Sequence, residues 1–445
     1  MNEPAAWGLE EAAAHIRRRE ISSVEYAQAL LARIDRLEPK LQAWARVERE
    51  ALLREAATCD AEAHRSVWRG PLHGVAVGIK DNFETEAIET CAGSAILAGN
   101  RPRRDADAVA RLRAAGALVL GKTAMTAFAA MDPAPTRNPW NPAHTPGGSS
   151  SGSAAAVAAR MCPAALGSQT AGSVLRPAAY CGVVGLKPTY GTVSRRGLIP
   201  CAWSMDHAGA IIRSCADAEA LLGILSVDAR AARQADEASV TIGVPDRSFL
   251  ETADAEAQAS FQQALALLTG AGCRIVALAL PPGFEALVEA GVITMYAEMA
   301  AYHRDRYARH AAAFPPRLST LIEAGLRIGA ADYLRAQQIR RLETSALSRL
   351  LEQVTVLITP ATPAPAPAGL DSTGDWRFNL PFSFSGHPAI SIPCGISRAG
   401  LPLGLQMVAA HFREDRLFRV GRLFQKLSDW HRASPAAASS GAFSS

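Results

Sequence analysis

The segment from Pro146 to Pro177 constrains this chain more than any other. It holds two short glycine- and serine-containing stretches, Gly147-Gly148-Ser149-Ser150-Ser151-Gly152-Ser153 and Gly167-Ser168-Gln169-Thr170-Ala171-Gly172-Ser173, which put Ser149 and Ser173 24 positions apart. Glycine admits backbone conformations and close approaches that other residues do not, so both stretches predict tight turns. Upstream, the apolar run Val75-Ala76-Val77-Gly78-Ile79 ends in Lys80-Asp81-Asn82, placing a lysine at a predicted strand end. A lysine and two loop serines make a hydrolytic set that can work without histidine.

Two other readings of the serine-rich loop compete with this one. The loop lacks the lysine of a GxxxxGK[ST] phosphate loop, which argues against a nucleotide site. Gly148 to Gly152 formally matches the G-x-S-x-G elbow of α/β-hydrolases, but that elbow follows a buried strand. Here Pro139, Pro142 and Pro146 precede it, and no strand fits. A flexible turn without chemistry is the remaining alternative.

The rest of the sequence reads as an α/β chain. The first 70 residues look helical, with Ser22 and Glu25 as a capping box ahead of a periodic stretch, Tyr26 to Leu37, predicted to stop before Pro39. From Gly74 onward come short apolar runs at 75–79, 117–120, 183–186, 240–244, 354–358 and 389–392. Helical patterns at 107–115, 154–160 and 217–225 separate several of them. Alternation of this kind predicts a large central sheet covered by helices on both faces. The Pro-rich segments 133–146 and 360–367 are expected to be ordered loops rimming a site, and the Ala/Ser-rich tail 434–445 to be disordered.

Composition excludes several function classes. Charged residues at 20%, apolar residues at 49% and a net charge of +4 fit an ordinary chain with a sizeable core. The Arg-rich patches 17–19 and 101–104 lack interleaved aromatics, so no nucleic-acid partner is expected. The eight scattered cysteines show no CxxC pair or metal-ligand spacing, which suggests reduced thiols and no metal. Met1-Asn2-Glu3-Pro4 does not open a signal peptide, and no apolar run approaches the roughly 20 residues of a membrane span. A cytoplasmic location is expected.

Residue chemistry narrows the candidates. Ser173 is the nucleophile candidate, because the small residues before it let main-chain N–H groups of Thr170, Ala171, Gly172 and Ser173 approach a substrate oxygen as an oxyanion hole. A helix beginning after Pro177 would add its positive end. Lys80 is the candidate base, provided burial lowers its pKa from the ordinary value of about 10.4. The alternative is a surface lysine or a salt bridge to Asp81. Ser149 fits between them as a proton relay. His73 and His207 lie beside apolar or Gly-rich segments and are expected to pack and hydrogen-bond rather than catalyse. Tyr296, Glu298 and His303 share a predicted helix that could line a pocket, with nothing to rank them.

Taken with Gly185-Leu186-Lys187-Pro188-Thr189, Met205-Asp206-His207, the segment Asn379 to Pro393 and Gly400 to Gln406, these motifs resemble the amidase signature family, the Ser-cisSer-Lys amide hydrolases. The resemblance runs over nearly the whole chain. It implies one domain over 1–433 with its signature core at 71–225, nucleophile Ser173, cis-serine Ser149, base Lys80, and a cis peptide between Gly148 and Ser149. It implies no metal or organic cofactor, and a small-molecule amide as substrate. Members are often homodimers, and no interface is legible in this chain.

Three departures from the common family pattern bear on specificity. Gln169 stands where many members have Asp, and Ala171 replaces a glycine, a change expected to be tolerated if that position keeps φ below zero. Arg176 follows the nucleophile by three positions, as in the malonamidase-like branch, where the arginine holds a substrate carboxylate. A guanidinium can clamp such a group bidentately, or it can pair with a structural acid such as Asp206. The function expected is hydrolysis of a small carboxylate-bearing amide of the malonamate or allophanate kind. The alternative is the glutaminase (A) subunit of a tRNA-dependent amidotransferase, which shares these motifs and acts with partner subunits. A binding protein that kept the fold without activity is the third reading, disfavoured by the occupied triad positions.

Overall fold

Eleven short strands form one mixed sheet at the centre of the protein, seen in a computed structural model that describes residues 3–228, 230 and 239–436. The strands are β1 (Trp44–Val47), β2 (Ala76–Lys80), β3 (Leu118–Thr123), β4 (Ala165–Gln169), β5 (Val184–Lys187), β6 (His207–Ile212), β7 (Thr241–Pro245), β8 (Arg274–Leu278), β9 (Val356–Pro360), β10 (Ala389–Ile396) and β11 (Pro402–Val408). Their spatial order is β1-β3-β2-β4-β6-β5-β10-β11-β9-β7-β8. The β3-β2-β4 and β9-β7-β8 segments are parallel, and the other neighbours are antiparallel.

The sheet is buried on both faces. Along β9, Val356 and Ile358 join one apolar cluster while Leu357 between them joins the other, as the two-residue period of a strand requires. The six apolar runs read from the sequence all coincide with strands to within a few residues. The mixed α/β sheet with its helices is therefore the predicted architecture.

Local differences have physical reasons. The helix Ser23–Leu41 carries the expected Ser22/Glu25 capping box but runs through Pro39 instead of stopping before it. In the last turn a proline removes one ladder bond only, and Gln42 closes the helix in the left-handed conformation with its N–H on the Glu38 carbonyl. The amino-terminal part is not all helix, since β1 forms an edge of the sheet by pairing antiparallel with β3. Its four residues between two helices are too few to show a period. The small-residue helix begins at Ser151, three residues before the predicted start, and ends at Ala158.

The two Pro-rich segments meet each other. Thr145 N–H donates to the Pro367 carbonyl (3.2 Å) and Gly369 N–H to the Ala143 carbonyl (2.8 Å). Of the carboxyl-terminal tail, residues 437–445 lie outside the described residues. All eight cysteines are free thiols, and seven of them are buried. Among the described residues no helix is long and apolar enough to cross a membrane.

Candidate active site

Parallel β2 and β4 end side by side and deliver Lys80 and Gln169 to the same edge of the sheet. Lys80 is fully buried. Its Nζ lies 2.8 Å from Ser149 Oγ, 2.8 Å from Ser168 Oγ and 3.2 Å from the Ser168 carbonyl. Asp81, the alternative partner, points elsewhere, with its carboxylate accepting from the N–H groups of Cys91 and Gly93. Removal from water without a paired carboxylate pushes the Lys80 pKa down from 10.5 to about 7, and the more distant Asp206 only partly opposes this.

The three neighbours suit both protonation states of the amine. As an ammonium, Nζ has a proton for each oxygen. As a neutral amine it keeps two N–H groups for the two Ser168 oxygens and turns its lone pair to the Ser149 hydroxyl. Asn82 Nδ2 also donates to Ser168 Oγ (3.0 Å), which steadies that acceptor. Ser168 and Asn82 were missed in the sequence, although both sit within the motifs that mark the site. The signal available was their adjacency to Gln169 and Lys80.

Ser149 is held by the turn it belongs to. The Gly148–Ser149 peptide is cis, as the family resemblance implies. Ser149 carbonyl accepts from Thr126 N–H (3.3 Å), and Ser150 N–H donates to the Ser173 carbonyl (3.2 Å), so the two serine turns are tied together. The helix that follows packs so closely that a Cβ on Gly152 would sit 2.1 Å from the Ala43 carbonyl oxygen and 2.5 Å from Ala124 N. Only glycine fits at that point.

The Ser173 turn presents its main chain to a cavity. Val174 and Leu175 N–H groups are taken by Gln169 Oε1 (2.7 and 2.9 Å) and Arg176 N–H by the Gly172 carbonyl (2.9 Å). Among the described hydrogen bonds, the N–H groups of Ala171, Gly172 and Ser173 are donors with no acceptor. Thr170 is anchored through its side chain, Oγ1 donating to Asp206 (2.5 Å). Ala171 keeps a negative φ, so alanine is unstrained there. The following helix spans Leu175–Cys181, beginning before Pro177 rather than after it. Gln169 replaces the usual cap by accepting the first N–H groups, which lets the helix start earlier.

Arg176 lies at the same cavity and is not paired with Asp206. That carboxylate instead accepts from Thr170 Oγ1 and from the N–H groups of Cys201 and Ala202, and burial raises its pKa to about 6. Arg176 donates to the carbonyls of Gly374 (2.5 Å) and Gly148 (2.6 Å), with its guanidinium 5.5 Å from the Trp376 ring centroid. Its Nε is buried without a partner, and among the described residues no carboxylate forms a salt bridge with it. Burial lowers its pKa to about 10, so it is a cation at neutral pH.

The cavity is small, with about 30 Å³ of free volume, and is lined by Ser173, Arg176, Thr170, Met295, Met299 and Trp376, among others. Its lining carries one cation and no carboxylate. Of the helical residues singled out in the sequence, Glu298 accepts from Ser204 N–H (2.8 Å) and Tyr333 (2.9 Å). His303 packs edge-on against Phe128. Neither they nor Tyr296 line the cavity, whereas Met295 and Met299 on the same helix do. Methionines at helical spacing read as core, so the sequence could not single them out.

The histidines are engaged elsewhere. His207 donates from Nδ1 to the Gln169 carbonyl (3.3 Å), and burial holds its pKa well below the ordinary value. A larger hollow away from the serines is lined in part by Trp68 and His73. There Cys59, Glu62 and His73 bring three possible metal-ligating atoms together. His73 Nδ1 accepts from Arg69 N–H (3.1 Å), its Nε2 bonds the Cys59 carbonyl (3.0 Å), and Glu62 is held by Arg69. Neither imidazole nitrogen is left for a metal.

Known proteins resemble this chain over nearly its whole length. The Amidase family model matches residues 25–418. The chain is 36% identical over 476 residues to the glutamyl-tRNA(Gln) amidotransferase (A) subunit of Roseiflexus sp. (strain RS-1), covering 96% of this chain and 97% of that one. It is 38% identical over 474 residues to the protein of the same name from Myxococcus xanthus (strain DK1622), covering 95% and 98%. Among solved structures, an amidase superposes with a TM-score of 0.88 at 31% identity, covering 94% of this chain and 99% of that one. The peptide amidase of Stenotrophomonas maltophilia gives 0.80 at 31% identity, covering 96% and 98%.

Proposed function

From the premise that the chain belongs to the amidase signature family and is an amide-hydrolysing enzyme, we propose that Ser173 is its nucleophile, with Ser149 and Lys80 as the proton relay. The observation that carries this reading is the buried Lys80 amine 2.8 Å from Ser149 Oγ with no carboxylate against it. Neutral Lys80 takes the Ser149 proton as Ser149 takes that of Ser173, and Ser173 Oγ attacks the amide carbonyl. The N–H groups of the 170–173 turn, with those of Ala171, Gly172 and Ser173 uncommitted, receive the oxyanion. The relay then returns the proton to the leaving amine. Water, deprotonated by the same pair, releases the acyl group and restores Ser173.

The substrate we propose is a small amide carrying a carboxylate, with Arg176 as its clamp, the placement found in the malonamidase-like branch. The cavity supports this reading because it offers a guanidinium with no carboxylate counter-ion beside Ser173 and no acid to receive an ammonium group. The second reading, the glutaminase component of an amidotransferase, draws on the names of the curated relatives and has the stronger support from them. Glutamine carries an ammonium as well as a carboxylate, and the lining supplies a counterpart only for the latter.

Ammonia release from malonamate, allophanate, glutamine and neutral aliphatic and aryl amides, with Ser173→Ala as the blank, tests the proposal. Release confined to the small anionic amides is the expected result. Release from glutamine alone, raised by partner subunits, would establish the second reading. Activity surviving in Ser173→Ala would overturn the assignment of the nucleophile.

A further inference from the structure

The segment Asn379 to Pro393 contains Ser383, and the helix Leu380–Phe384 sets that side chain behind the Ser173 turn. Ser383 and Gln169 are both fully buried. Gln169 Nε2 donates to Ser383 Oγ (2.9 Å), and Ser383 Oγ donates to the Ala171 carbonyl (2.6 Å). The orientation of the Gln169 amide is fixed by its other end, since Oε1 accepts two backbone N–H groups. Nε2 must therefore face Ser383 as a donor. A hydroxyl has a single proton, and one that faces a donor on one side sends that proton to the acceptor on the other. The direction of the Ser383 hydroxyl is thus dictated by Gln169.

The consequence reaches the oxyanion donors. The Ala171–Gly172 peptide is trans, so its carbonyl and its N–H point in opposite directions from one plane. Holding the carbonyl toward Ser383 turns the Gly172 N–H to the opposite side of the turn, whose Thr170, Ala171 and Ser173 line the cavity. The other flank is closed as well, because a Cβ on Gly172 would fall 2.6 Å from Asn379 Oδ1 and 2.9 Å from Trp376 Cβ. Asn379 is itself fixed by the Ala361 carbonyl (3.0 Å) and Gln406 Oε1 (2.8 Å).

We propose that Gln169 and Ser383 are positioning residues that aim the Gly172 N–H at the developing oxyanion, an inference that rests on the reading of Ser173 as the acylated nucleophile. The pair explains why an amide serves at position 169. A carboxylate there could cap Val174 and Leu175, but it would accept the Ser383 proton and leave the Ala171 carbonyl free to turn.

The test reads kcat and KM separately by ammonia release, together with the rate at which a fluorophosphonate labels Ser173. Ser383→Ala and Gln169→Glu are expected to lower kcat about 10–100-fold with KM changed less than about threefold, as for the loss of one oriented oxyanion donor. Labelling should slow in parallel. Ser383→Thr, which keeps the hydroxyl, should stay within about threefold of the parent. If Ser383→Ala does not fold, Gln169→Glu and Ser383→Cys carry the same split. Parental kcat in Ser383→Ala, with Ser173→Ala inactive, would overturn the positioning role and leave the nucleophile assignment standing. Turnover in Ser173→Ala would overturn both.

Discussion

The wall of the cavity that carries Ser173 is held by main-chain and buried polar contacts, whereas the part of the lining made by Met295, Met299, Leu321 and Trp376 is largely apolar. On the first, Gln169, Asp206 and Ser383 each bind the 170–175 turn, and Lys80 sits among three serine oxygens. On the second, Met295 and Met299 project from one long helix and Leu321 from the next. Fixed donors suit a reaction whose charge must be met at one point, and adaptable apolar surfaces suit the choice of acyl group. Arg176 joins the two, bonded to the Gly148 carbonyl of the first wall and lying near Trp376 of the second.

Changes on the polar wall should slow or abolish chemistry, and changes on the apolar wall should redirect it. The largest effect is expected for Lys80→Met, with kcat lowered about 10⁴-fold or more, measured by ammonia release. The same substitution should raise the melting temperature. Lys80 has a folded pKa of about 7 against 10.5 when exposed. Its burial cost is therefore absent above about pH 10.5, grows as pH falls, and is fully present below about 7. The gain from Lys80→Met should accordingly be greatest at and below neutral pH, on the order of a few kcal/mol, and shrink as the medium becomes alkaline.

Arg176→Met sits between the walls. KM for a small anionic amide should rise about 10–100-fold, the worth of a charge-assisted pair, with little change for a neutral amide. Equal losses on both would remove the carboxylate clamp. The pH profile should show the parent's kcat/KM rising tenfold per unit up to about pH 7 and levelling above it, because the relay needs neutral Lys80. The smallest effect is expected from Met299→Ala, a shift of about tenfold in preference toward bulkier acyl groups with the reaction on small amides retained.

The two walls were also unequally legible in the sequence. Lys80, Ser149 and Ser173 stand out because tight turns and close backbone approaches demand glycine beside them, as Gly152 and Gly172 show. The main strands stood out for a similar reason, being short apolar runs between breakers. The apolar wall leaves no such mark, since Met295 and Met299 follow the spacing of any core helix. Gln169 was visible as a departure from the family, yet its role depended on Ser383, which is 214 residues away. Pro39 and Pro177 misplaced two helix ends because a proline's cost depends on which turn of the helix it occupies.

The central claim is that Ser173 is made nucleophilic by neutral Lys80 acting through Ser149. Peptide mapping after fluorophosphonate treatment at pH 7 tests it most directly. The account predicts a single modified site at Ser173 in the parent protein and no modification of folded Lys80→Met on the same timescale. Modification at another residue, or labelling of Ser173 at the parental rate in Lys80→Met, would contradict it.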